Sequence, residues 1–346
     1  MAVETEILLK AYRLMCTATA MAEIYEANRP ICKYVHSTSR GHEAIQLATA
    51  FQLLPCDYVS PYYRDESIML GLGFSPYQLM LQLLAKGGDI FTGGREYYNH
   101  PNYRGNDKPT IIHQSSATGM QAIPTTGIAQ GIKFLERSNS PLLINGLGGE
   151  APVVICSLGD ASVTEGEVSE AFQFAALQQL PVIYLVEDND WGISVTSAEA
   201  RTTNAYEFIS GFKGIERISI DGSDFIESYL TMQQVVKDVR ENRKPYLVHA
   251  KVPLLGHHTS GVRKEFYRTN DDLYKHYTND PGPKLKIVLQ QLGFEENYLQ
   301  EIENEMAAFV KNEFEKAANA PEPDPATVSN HVFIPTPVLT EKGQRN

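Results

Sequence analysis

Residues 151–160, Ala-Pro-Val-Val-Ile-Cys-Ser-Leu-Gly-Asp, carry an apolar run over 151–158 that leads to Asp160; residues 181–189, Pro-Val-Ile-Tyr-Leu-Val-Glu-Asp-Asn, carry a second over 181–186 that leads to Asn189. Short apolar runs bounded by turn residues read as buried strands. Asn189 follows Asp160 by 29 residues, which leaves room for one helix between them. Strand, helix and strand in succession lie parallel and deliver both residues to one sheet edge. Open α/β sheets bind ligands at that edge, outside the carboxyl ends of the strands. A carboxylate and a carboxamide held there are hard oxygen donors, suited to Mg2+ that shares its remaining positions with phosphate oxygens.

Working outward, the spacing of Leu8, Tyr12, Met15, Ala18 and Ala22 predicts a helix, and a second is expected over 42–54. Ser75-Pro76 reads as an N-cap and first helical residue of a helix reaching about Ala85. Residues 87–109, rich in Gly, Tyr and Asn, read as a long loop of the functional kind, and 115–134 as a helix packed on a sheet. Beyond the first strand come an expected helix over 167–179, a strand at 182–186 and a loop to Ser194. Helices near 206–212 and over 224–241 then alternate with strands at 217–220 and 246–252. That order means an α/β fold with a mostly parallel sheet covered on both faces. A polar loop over 256–268 follows the last strand, with helices at 285–291 and 295–318. From Ala320 the prolines at 321, 323, 325, 335 and 337 mark a linker or wrapping arm. The expected division is a domain over 1–319 and a Pro-rich tail over 320–346.

With 346 residues, the chain suffices for one large α/β domain or two average ones. Its net charge of -12 argues against nucleic acid as a partner, since a phosphate backbone needs a basic face. Local arginines and a metal ion can still make an acidic protein's cleft attractive to a small anion. Cys16, Cys32, Cys56 and Cys156 show no CxxC spacing and read as reduced thiols. No apolar run reaches the ~20 residues of a membrane span, and residues 1–6 lack a signal peptide's basic start, so a cytoplasmic location is expected.

Three further elements carry chemistry. Tyr63-Arg64 offers a phosphate a single donor and a bidentate fork; the plainer reading is a surface arginine paired with Asp65 or Glu66. His257-His258 after a buried strand is hard to place in a core, where four ring nitrogens would need partners. The third is the stretch 159–166 with 187–194, Gly-Asp-Ala-Ser-Val-Thr-Glu-Gly and Glu-Asp-Asn-Asp-Trp-Gly-Ile-Ser. It resembles the thiamin-diphosphate signature, and in particular the alpha chain of the decarboxylase component of 2-oxoacid dehydrogenase complexes. The similarity covers most of the chain, through Ser39 to Ala44, Tyr62 to Asp65, Gly94-Arg95 to His100-Pro101, Ser115 to Pro124 and Gly256 to Ser260.

The resemblance implies a three-layer αβα thiamin-diphosphate-binding fold with a helical N-terminal region. It implies Asp160 and Asn189 as Mg2+ ligands through their side chains and Trp191 through its carbonyl. Tyr63, Arg64 and His258 would hold the diphosphate, beside Gly159, Ala161 and Ser162 of the signature, with Ser116 and Thr118 near the aminopyrimidine. His258 would also assist acyl transfer, and Thr259 stands where animal relatives carry a regulated serine. The implied reaction decarboxylates a 2-oxoacid and passes the acyl group to a lipoyl arm on an acyltransferase. The His257-His258 pair favours branched-chain acids over the pyruvate and acetoin types. No residue here suits the glutamate that the cofactor's N1′ requires, so a beta chain, or a fused beta domain, is expected to supply it. Departures from the pattern are Ala161 for a glycine, Asp188 for an asparagine, Leu254 for an arginine and Gly261-Val262 for two aspartates. Asp188 would weaken diphosphate binding if it faces the site, and Arg263, Lys264 or Arg268 would stand in for the arginine absent at Leu254. The contrasting readings are a non-catalytic assembly subunit that keeps the fold, and an NAD-type dehydrogenase, which lacks its GxGxxG here.

Overall fold

The computed structural model describes residues 3–113, 115–139 and 150–330. Six parallel strands form the central sheet in the order β2-β1-β3-β4-β8-β7. They are β1 (Tyr58–Ser60), β2 (Thr110–Ile111), β3 (Val154–Gly159), β4 (Val182–Asp188), β7 (Glu216–Asp221) and β8 (Tyr246–Lys251). A separate antiparallel hairpin joins β5 (Trp191–Gly192) to β6 (Val195–Thr196). Strand alternation divides the core. Val153, Ile155, Ile183, Leu185, Val248 and Ala250 pack on one face in a cluster that includes the helices Phe225–Asn242 and Pro76–Leu83. Val154, Cys156, Leu158, Val182, Tyr184 and Val186 pack on the other with the helices Ala122–Arg137 and Gly166–Gln178. The result is the expected three-layer αβα arrangement.

The predicted helices are present with shifted ends: Thr5–Ala27 and Glu43–Ala50 at the N-terminus, and Pro281–Gln291 and Glu296–Ala318 near the C-terminus. Ser75 caps Pro76–Leu83 reciprocally with Gln78. One expectation needs correction. The helix expected from Ser115 begins at Ala122, and the small residues before it form a loop with Gly119 at φ +85°. The alternation of small and apolar residues there serves close backbone approach instead, since a Cβ on Gly119 would lie 3.0 Å from the Glu165 side chain. The sequence reading also missed the short β1 and β2 and the helix Asn270–Tyr277. All four cysteines are free. Among the described residues no helix is long and apolar enough to cross a membrane. Residues 321–327 run along the 86–95 loop, through Gly87 N–H to Pro321 O (3.0 Å), Lys86 to Glu322 (2.7 Å) and Arg95 to Thr327 O (2.7 Å). Pro335 and Pro337 lie outside the described residues.

Behind β1, the helix Glu66–Gly71 starts with a fully buried carboxylate. Burial lifts Glu66 from 4.5 to about 8, with Tyr98's hydrogen bond opposing and Glu43's charge adding. Its raised folded-state value means that the folded protein keeps a proton which the unfolded chain releases. The associated stability is full below about 4.5 and is lost as pH rises to about 8. Glu66→Gln should therefore flatten the decline of unfolding free energy across that window by up to ~1.4 kcal/mol per pH unit. Urea titrations at a series of pH values measure this slope; an unchanged slope would mean that Glu66 ionises normally in the folded state.

Candidate functional site

The parallel strands all end on one side, and the loops leaving β1, β3, β4 and β8 meet there. In β3 and β4, Gly159 lies opposite Glu187, so Asp160 and Asn189 emerge almost in register. They line a narrow cleft with Tyr62, Tyr63 and Arg64 from the β1 loop, Ser162 and Trp191, and His258 from the β8 loop. Ser116, Thr118, Gly159 and Ala161 complete the lining that the sequence singled out, with Ser116 and Thr118 exposed on the loop before Ala122.

Arg64 is only 1% exposed, and it pairs with neither Asp65 nor Glu66. Its Nη2 donates to the carbonyl of His258 at 3.0 Å. Its Nε and Nη1 are buried without a partner among the described residues. Asp65 turns the other way and accepts from the Tyr62 N–H (2.9 Å) and Gln46 (3.2 Å). A buried guanidinium with open donors is costly unless an anion completes it.

His258 adds to this. Its Nε2 lies 3.3 Å from the Ile193 backbone N–H, which can only donate, and 3.4 Å from Tyr63 OH. The ring proton therefore sits on Nδ1, which is buried and has no partner among the described residues. Burial first, then the charges of Arg64 and His42, push His258 down to about 3, so the ring is neutral at pH 7 and offers one N–H. Ile193, a β-branched residue at φ +58°, holds that contact from the β5–β6 hairpin. His257 points away, into a separate cavity of about 810 Å³ that it lines with His36, Lys264 and Tyr277.

Asp160 is buried, and its Oδ2 accepts from Arg201 Nη2. Burial and the nearby Asp188 raise it to about 7 against Arg201's charge. Asn189 Oδ1 accepts the Trp191 N–H at 3.0 Å. Among the described residues no three His, Cys, Asp or Glu side chains gather as a metal cluster. The side-chain oxygens available there are one carboxylate and one carboxamide, hard donors of the kind that fit Mg2+ shared with phosphate oxygens.

Asp188 does not face the cleft. It is held by His249 Nε2 at 2.8 Å and by Lys251 at 3.3 Å on the opposite side of β4. Burial opposes its ionisation, but those two partners hold it well below the usual carboxylate range. Leu254 is buried, its N–H bonded to His276 and its carbonyl to Arg268 (2.7 Å). Of the three candidate substitutes, Arg268 alone approaches the cleft wall, its guanidinium 5.4 Å from the centre of the Trp191 ring. Arg263 pairs with Glu26 at the surface, and Lys264 caps the Leu255 carbonyl. Sequence reasoning missed Arg201, which no motif announces, and Tyr62, which lines the cleft and whose buried hydroxyl has no partner among the described residues.

Residues 12–326 match the family described as Dehydrogenase E1 component. The chain belongs to that family. It is 27% identical over 297 residues to the 2-oxoisovalerate dehydrogenase subunit alpha of Bacillus subtilis (strain 168), covering 85% of each chain. It is 28% identical over 302 residues to the 3-methyl-2-oxobutanoate dehydrogenase subunit alpha of Mycobacterium tuberculosis (strain ATCC 25618 / H37Rv), covering 86% of this chain and 75% of that one. With the pyruvate dehydrogenase E1 component subunit alpha of Rickettsia bellii (strain RML369-C) it shares 29% over 301 residues, 85% of each. As a dehydrogenase E1 component it is an enzyme, and the cleft described above is its candidate active site.

Proposed function

We propose that this chain is the alpha subunit of a 2-oxoacid dehydrogenase decarboxylase component and that it holds thiamin diphosphate and Mg2+ in the cleft. The observation that carries this reading is Arg64, a buried guanidinium with two donors open among the described residues, which lines the same cleft as Asp160 and Asn189. Arg64, Tyr63 and the Nδ1–H of His258 would hold the diphosphate, and Asp160, Asn189 and the Trp191 carbonyl the Mg2+. When bound, thiamin diphosphate supplies the nucleophile and the electron sink for decarboxylation. The protein's share is to anchor the phosphate end, to exclude water and to keep a neutral His258 ready to donate a hydrogen bond.

Among the described residues that line the cleft, the one carboxylate is Asp160, at the proposed phosphate end. The acid that the ring end requires is therefore assigned to a beta chain, in an assembly of two alpha and two beta chains, with a lipoyl-bearing acyltransferase as acyl acceptor. Residues 1–319 are proposed as the dehydrogenase domain and 320–346 as its tail. The names of the Bacillus and Mycobacterium relatives support a branched-chain acid as substrate. One or two methylenes discriminate by only ~1–3 kcal/mol, so the expected preference for 2-oxoisovalerate over pyruvate is ~10–200-fold in kcat/KM.

Steady-state decarboxylation by the chain with and without a beta chain tests the assignment. No turnover alone and cofactor-dependent turnover in the complex are expected. Turnover by the isolated chain would overturn the shared site. An assembled complex that binds no thiamin diphosphate by calorimetry would make this an assembly subunit instead.

A further inference from the structure

If Asn189 is a metal ligand, its carboxamide must be held with oxygen, not nitrogen, toward the cation. The structure contains a device for this that the ligand set does not include. The Trp191 backbone N–H donates to Asn189 Oδ1 at 3.0 Å, and a backbone N–H can only donate. This fixes the amide, with Nδ2 on the far side, 3.3 Å from His42 Nε2. Nδ2 also can only donate, so His42 Nε2 must present its lone pair, and the ring proton must sit on Nδ1. Nδ1 has its acceptor in Glu187 Oε2 at 2.5 Å, and Gln46 Nε2 donates to the same oxygen at 2.9 Å. The direction of donation is thereby fixed from Asn189 through His42 to Glu187. His42, Gln46 and Glu187 are each 0% exposed, an arrangement too costly to keep without a task for its polar groups.

We infer that His42 and Glu187 are positioning residues that lock the Asn189 carboxamide with its oxygen toward the metal. Glu187 sets the His42 tautomer, and His42 Nε2 accepts a hydrogen bond from Asn189 Nδ2–H, which a flipped amide could not donate. Oδ1 spends one lone pair on Trp191 N–H and keeps the second for the cation. Carboxylate–histidine pairs behind a metal ligand affect metal affinity by 10–100-fold in general. The inference rests on the proposed Mg2+ site.

The test is calorimetric titration of Mg2+ into the complex of this chain with its beta chain, at saturating thiamin diphosphate. His42→Leu should raise the Mg2+ Kd by ~10–100-fold. His42→Gln, whose side-chain oxygen can accept the same proton, should return it to within about fivefold of the parent. His42→Phe serves as a second variant if His42→Leu does not fold, with thermal unfolding without Mg2+ as the check. Asn189→Ala should weaken Mg2+, and adding His42→Leu to it should cost nothing further. If Asn189→Ala loses Mg2+ while folded His42→Leu or His42→Phe binds it like the parent, the positioning pair is overturned and the metal site stands. If Asn189→Ala itself binds Mg2+ normally, the proposed metal site falls, and this inference with it.

Discussion

Arg64→Leu is expected to weaken thiamin diphosphate binding by ~100-fold or more while leaving the stability of the cofactor-free protein within ~3 kcal/mol of the parent. The two effects have one cause. Among the described residues, Arg64 is a buried cation whose Nε and Nη1 find no partner and whose side chain's one hydrogen bond is to the His258 carbonyl. Replacing such a buried charge by an apolar side chain is neutral or stabilising by ~1–4 kcal/mol, less ~1.5–3 for the hydrogen bond to His258. A diphosphate converts the same two donors into charge-assisted bonds worth ~1.5–3 kcal/mol each. Losing both should weaken binding by ~100-fold or more. Calorimetric melting of the alpha–beta complex with and without thiamin diphosphate and Mg2+ reads both quantities. Arg64→Lys should restore little, because a point charge cannot reproduce the fork. A variant that melts several kcal/mol lower, with its cofactor-induced shift intact, would make Arg64 a core cation only.

The residues that carried the sequence reading were legible because strands are legible. The runs that lead to Asp160 and Asn189 are mostly apolar, and their 29-residue spacing leaves room for the helix of a parallel crossover. The same rule, pressed further, answers the question Asp188 raised. In a strand of period two, residue 188 must face away from 187 and 189. The structure shows this split, with Glu187 and Asn189 both on His42 and Asp188 on His249. What sequence could not yield is of two kinds. Residues 115–121 alternate small and apolar residues as a packed helix would, but Gly119 comes close to the Glu165 side chain, a tertiary constraint that the local pattern does not encode. Arg201 and His42 act through partners 41 and 147 residues away, and such pairings become visible only when the fold closes them.

Arg201 makes the second large effect separable into parts. Asp160→Ala should lower the cofactor-free stability by ~3–5 kcal/mol, because Arg201, whose side chain is 7% exposed, would be left as an uncompensated buried charge. The same change should remove Mg2+-dependent cofactor binding, since the one carboxylate of the donor set is gone. A destabilised protein that fails to bind is ambiguous, and the pair resolves it. Adding Arg201→Leu to Asp160→Ala takes away the orphaned charge and should recover most of the lost stability. It returns no carboxylate, so Mg2+-dependent binding should stay lost. Arg201→Leu alone should fold, with Asp160 freed from a competing cation. Chemical unfolding of the three variants, with calorimetric titration of Mg2+ and thiamin diphosphate into each complex, separates the two roles. If the double variant regains cofactor binding along with stability, Asp160 serves only to neutralise Arg201, and the metal assignment fails. If it regains stability alone, the carboxylate has two distinct tasks. One holds the β3 exit to the 201 segment, and the other waits at the sheet edge for the cation.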